Sequence, residues 1–162
     1  MIIVDASVLT DFLLGRPAAV LALEEESAGR EHEPLHAPEV IELETLNALR
    51  RNLLRGAVDE RRAMEAVADL GRTRLACFPH APLRERVWEL RHKLTAYDAS
   101  YVALAELLEA SRLLTSDRGL AEVAAWALGD RRGRAGGEES TRAPLTGCAH
   151  PCRGGLRSPP CL

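Results

Sequence analysis

Ile2-Ile3-Val4-Asp5-Ala6-Ser7-Val8-Leu9 opens this chain of 162 residues with an apolar run that stops on a carboxylate. A short unbroken apolar run bounded by polar residues reads as a strand buried on both faces. The pattern returns at Leu113-Leu114-Thr115-Ser116-Asp117. Between the two, strand candidates at 35–37 and 74–78 alternate with helical segments at 7–14, 17–28, 38–55, 57–70, 83–93 and 97–110, and a last helix follows at 118–128. Gly15, Gly29, Gly56 and Gly71 close four of the helices, and Pro38 is read as lying in a first helical turn. Strands that alternate with helices imply a parallel sheet covered on both faces, a three-layer α/β/α fold. Ligands of such sheets bind outside the carboxyl ends of the strands. Asp5 and Asp117 both fall at such ends.

Two further acids sit on helices. Glu44 lies on the 38–55 segment beside a stripe of Leu43, Leu46, Leu49, Leu53 and Leu54, with Asn47 one turn on at the i+3 position. Asp98 opens the 97–110 helix. Each has an ordinary alternative, since Asp at a strand–helix junction caps the helix and an acid in a first turn suits the dipole. Glu42 competes with Glu44, and by the Leu stripe it projects nearer the middle of that face. Ser7 can cap its helix or hold a water at the site, and Thr115 and Ser116 can orient Asp117 or cap the next helix. Carboxylates gathered without Lys or Arg repel one another, and hard divalent cations such as Mg²⁺ are the usual remedy, because they prefer oxygen ligands. The set points to metal-dependent hydrolysis of a phosphodiester.

The four segments Val4-Asp5-Ala6-Ser7-Val8-Leu9, Glu44 to Arg51, Tyr97-Asp98 to Glu106 and Leu114-Thr115-Ser116-Asp117-Arg118-Gly119-Leu120 resemble, in order and spacing, the signatures of PIN domains, and within them the VapC-type toxins of toxin–antitoxin modules. The resemblance spans residues 1 to about 128. It implies a PIN-like fold and a Mg²⁺- or Mn²⁺-dependent endoribonuclease acting on RNA. It further implies a dimer neutralised by a VapB-like antitoxin. It assigns the metal site and the catalysis to Asp5, Asp98, Glu44 and Asp117, with Ser7, Asn47 and Thr115 in support, and prefers Glu44 to Glu42 because Glu44 precedes Asn47 with the family's spacing. PIN domains usually add a short edge strand after the last helix. Here Trp126 to Asp130 runs into Arg131-Arg132-Gly133 with no apolar strand, so the edge is expected to be missing. Two other classes compete: an inactive PIN-like protein that binds RNA or a partner, and a phosphoryl-accepting domain. The latter needs a lysine beside its aspartate, and the single lysine, Lys93, has no such context.

Length and composition fit one globular domain, with 46% hydrophobic and 28% charged residues. The last 33 residues differ in kind: six Gly, four Pro and no apolar periodicity. The reading is a domain at 1–129 and a disordered tail at 130–162. The tail holds six Arg against three acids, so an overall charge of −3 leaves −6 on the first 129 residues. That charge argues against broad electrostatic gripping of nucleic acid, although Arg50, Arg51, Arg55, Arg61 and Arg62 can form a local patch or a solvated helix face. Phe12, Leu13, Val20, Leu21 and Leu23 can line a groove for an antitoxin or second subunit, or be plain core. His32, His36, His80 and His92 are scattered and suit packing or surface roles. Cys148, His150, Cys152 and Cys161 do not match the usual Cys-x₂₋₄-Cys spacing of structural zinc and are read as unstructured. Cys77 reads as a buried thiol in a reducing cytoplasm. No apolar stretch nears the roughly 20 residues of a membrane span, and Asp5 interrupts the apolar start, so neither span nor signal peptide is expected.

Overall fold

In a computed structural model the chain is described over residues 1–28, 33–129 and 150–151. The element order is β1 (Ile2–Val4), α1 (Ala6–Leu13), α2 (Pro17–Ser27), β2 (Leu35–Pro38), α3 (Ile41–Leu54), α4 (Glu60–Leu70), β3 (Leu75–Phe78), a 3₁₀ turn (Ala81–Leu83), α5 (Arg84–Glu89), α6 (Ala96–Leu107), β4 (Arg112–Leu114), α7 (Arg118–Gly129) and β5 (His150–Pro151). The sheet order is β4-β1-β2-β3-β5, with the first four strands parallel. This is the expected alternation, with helices on both sides of the sheet.

The four parallel strands are only three or four residues long, so their burial holds the sheet in place. Ile3 and Val4 are wholly buried, and Val4 pairs with Leu114. That register brings the residues after β1 and β4 side by side. The amide of Asp5 continues the ladder by donating to the Leu114 carbonyl at 2.9 Å.

α6 is the wedge of the molecule. Every residue from Ala99 to Glu106 is buried, as expected for a helix packed on all sides. It lies against β1, β2 and β4 and carries α5 and α7. Tyr101 and Leu104 join the main core, while Ala99 and Val102 join a second cluster with Leu120, Ala124 and Ala127 of α7. Arg86 of α5 is clamped onto α6 by two bonds to Glu106, at 2.6 and 2.9 Å.

Several expectations need correction. Pro38 ends β2 rather than lying in α3, which begins at Ile41. A central strand tolerates it because β1 pairs with β2 only at Ile3–His36, leaving no bond at Pro38 for a missing N–H to break. The buried face of α3 is Ile41, Thr45, Leu49 and Asn52; of the leucine stripe only Leu49 belongs to it, and Leu43 and Leu54 are each 69% exposed. Helix α5 is much shorter than expected, because Pro82 confines its start to a 3₁₀ turn and the chain turns again after Glu89. Of the N-terminal apolar residues, Leu13 and Leu23 are core and Phe12 packs against it, while Leu21 is exposed. Cys77 is buried but disulfide-bonded, so it is not a free thiol. Cys148, Cys152 and Cys161, like nearly all of the tail, lie outside the described residues. His150–Pro151 form β5, antiparallel to β3 at the opposite edge of the sheet from β4.

Candidate active site

Asp5 is 7% exposed at the carboxyl end of β1 and caps α1. Its Oδ2 accepts the Ser7 hydroxyl at 2.5 Å, the Thr115 hydroxyl at 2.9 Å and the Ser7 amide at 3.3 Å. The Ser7 hydroxyl in turn accepts the Ser116 amide at 2.9 Å, and Thr115 Oγ1 accepts the Asp117 amide at 3.0 Å. The ends of β1 and β4 are thus one hydrogen-bonded unit, in which Asp5 caps α1 and is fixed in place by two hydroxyls. Asp117 caps α7 through the Leu120 amide, at 2.9 Å to Oδ1, and is exposed.

Glu44 reaches the site from α3. Its Oε2 accepts the hydroxyl of Tyr101 at 2.6 Å. Burial pushes the Glu44 carboxyl above the usual carboxylate range, and the charges of Asp5 and Asp98 push it the same way, while the Tyr101 bond opposes them. Tyr101 is fully buried, and its phenol is raised by burial first, then by Glu44 and Asp5. Glu42 on the same helix is exposed, whereas Glu44 is half-buried and held by Tyr101.

Asp98 stands in the first turn of α6 in a reciprocal cap: its amide donates to Thr95 Oγ1 at 3.2 Å and the Thr95 hydroxyl donates back to Oδ2 at 2.7 Å. Asn47 is exposed and lines, with Glu44, Arg51, Val40, Leu43 and Tyr97, a cleft of about 380 Å³.

Glu44 therefore feels the charges of Asp5 and Asp98, and the backbone amide of Asp117 is tied to Asp5 through Thr115. Among the described residues no three His, Cys, Asp or Glu side chains converge on one ion position; the carboxylates are turned to Ser7, Tyr101, Thr95 and the Leu120 amide instead. The donor set still suits a hard divalent cation. It is all oxygen, among the described residues it is uncompensated by any direct ion pair, and Asp5 and Asp98 raise the proton affinity of Glu44. Tyr101 and Thr95 were not singled out from sequence. The only signal for Tyr101 was its place one turn after Asp98; its partner Glu44 is 57 residues away.

The arginine patch divides. Arg61 and Arg62 pair with Glu65, and Arg62 also donates to the Leu13 carbonyl. Arg55 turns to Asn52. Arg50 and Arg51 make no ion pair among the described residues, and Arg51 stands near enough to favour ionised Glu44.

The family model described as PIN domain matches residues 2–125. Ribonuclease VapC9 of Mycobacterium tuberculosis is 41% identical over 129 residues, covering 76% of this chain and 91% of the relative. Ribonuclease VapC1 of the same species is 39% identical over 123 residues, covering 74% and 87%. Ribonuclease VapC12 is 31% identical over 122, covering 75% and 91%. With the carboxylates at the carboxyl ends of β1 and β4 and on α3 and α6, and with this likeness over three quarters of its length, the chain belongs to the PIN domain family, among the VapC ribonucleases.

Proposed function

We propose that this protein is the toxin of a toxin–antitoxin module and hydrolyses RNA phosphodiester bonds with Mg²⁺ or Mn²⁺. The observation that carries the reading is that Asp5 and Asp98 bear on the half-buried carboxylate of Glu44: bringing like charges together away from water costs stability unless a cation offsets it. Asp5 and Asp98 are the first choice for ligands, with Glu44 and Asp117 binding directly or through water. A divalent ion supplies an acidified water and positive charge against that developing on the phosphate. The chain's residues do the rest. Ser7 and Thr115 fix the Asp5 carboxylate, and Tyr101 fixes Glu44. Glu44, whose affinity for a proton is raised, is the group suited to take one from the attacking water. Asn47 and Arg51, at the mouth of the Glu44 cleft, are placed to meet the RNA.

A VapB-like antitoxin, a homodimer and a cytoplasmic location complete the reading. Among the described residues no single helix is long and apolar enough to cross a membrane. The test is incubation of the chain with structured RNA and Mn²⁺, beside EDTA and Asp98→Asn controls. Cleavage in the first alone supports the reading. Intact RNA in all three, with folded protein, favours the inactive binding protein instead.

A further inference from the structure

We propose that the cleft between α5 and the start of α6 is a stacking subsite for one unpaired base of the RNA, an inference that rests on the ribonuclease reading above. The chain has six aromatic residues, and two of the exposed ones face this cleft: Trp88 at 69% and Tyr97 at 59% exposure. The cleft measures about 620 Å³, is mostly apolar, and is completed by Val40, Val87, His80 and Arg84. That volume falls within the range of small-ligand sites.

Its position identifies the occupant. Val40 and Tyr97 wall both this cleft and the adjoining one that holds Glu44, Asn47 and Arg51, and Tyr97 directly precedes Asp98. A strand whose phosphate lies at the carboxylates therefore has this apolar slot next to it. Arg91 already lies over the Trp88 ring, 5.1 Å from its centroid. Arg84, exposed and without an ion pair among the described residues, is at hand for a phosphate or a base edge.

Energetics favour the same occupant. A body of net charge −6 disfavours holding RNA by phosphate contacts alone, whereas stacking on an aromatic ring is indifferent to that charge and contributes substantially per base. A duplex hides its base faces in the helix, so the subsite selects single-stranded or looped segments.

The test measures anisotropy of a short fluorescein-labelled unstructured RNA, alone and annealed to its complement, with the full chain in an Asp98→Asn background. Trp88→Ala and Tyr97→Ala are expected to weaken single-strand binding by roughly 5- to 150-fold, the range expected for loss of one stacked base. Trp88→Phe should keep most of the affinity, and Trp126→Ala, away from the cleft, should keep all of it. Unchanged single-strand affinity in both alanine variants overturns the proposal. So does an equal loss for the duplex, or sedimentation showing that Trp88→Ala splits a dimer, which would make the cleft a subunit interface. Cleavage by the Asp98-intact chain is run in parallel: cleavage without a Trp88 effect removes the subsite alone, and Trp88-dependent binding without cleavage removes the ribonuclease reading alone.

Discussion

At the scale of single residues, the site combines two kinds of carboxylate. Asp5 is satisfied by two hydroxyls and an amide; Glu44 has one strong donor against burial and two like charges. Positioning hydroxyls of this kind typically contribute 10- to 100-fold to metal affinity or activity. Thr115→Val should therefore lower Mn²⁺-dependent cleavage by about that factor, with part of the loss recovered at higher Mn²⁺; a Thr115→Val enzyme with unaltered metal dependence would remove Thr115 from the site. Glu44 gives a prediction of opposite sign for stability. Its folded carboxyl has a raised proton affinity, so its protonated form stabilises the metal-free fold. This contribution is complete below the ordinary Glu range and is lost as pH rises through the raised value. Glu44→Gln removes the charge, can still accept the Tyr101 hydroxyl, and should raise the metal-free Tm at pH 7 by about 2–4 °C while abolishing cleavage. Thermal melts across pH 4.5–7.5 provide the check: the gap between variant and wild type must close on the acid side.

At the scale of elements, α6 carries the heaviest demand, because it touches three strands and two helices and also presents Asp98 and Tyr101. Its fastening to α5 is the Arg86–Glu106 pair, in which Glu106 is nearly buried and the guanidinium is held above its ordinary range chiefly by that carboxylate. Removing one partner of a buried pair is costly because the other charge loses the counter-charge that offset its burial. Arg86→Met should destabilise by about 2–3 kcal/mol, toward the lower end for such pairs because Arg86 is partly exposed. Adding Glu106→Gln should restore part of that in urea melts; if the double variant is no more stable than the single, the lost counter-charge is not the cause. The elements themselves were readable from sequence, because short apolar runs and helical stretches ended by glycine carry their own period. The face of α3 was not: its leucines outnumber the residues that α1 actually covers, and only packing shows that Thr45 and Asn52 go inside. Nor could the Tyr101–Glu44 bond, the Thr95–Asp98 cap or the Cys77 disulfide be read from local pattern. The first and last of these depend on chain segments brought together by the fold, and the cap on which threonine begins the helix.

For the whole molecule, the decisive quantity is charge. The first 129 residues carry −6, the carboxylate site adds to the local field, and the unpaired cations near it are few. Binding that depends on metal and stacking should release few counterions. With two or three arginines such as Arg51 and Arg84 neutralising phosphates, the slope of log K against log salt should be no steeper than about −2, since each phosphate contact on a single strand contributes roughly −0.7. A divalent ion, in contrast, should matter twice: it permits cleavage, and it relieves the repulsion among Asp5, Glu44 and Asp98 in the fold itself. Saturating Mn²⁺ at about 100 times its Kd should stabilise the protein by about 2.7 kcal/mol, and Asp98→Asn should lose most of that gain. A salt slope near −4 with no Mn²⁺-dependent rise in Tm would point to a different molecule. RNA would then be held by the six arginines beyond residue 130, and the acidic residues of the body would serve only to cap its helices.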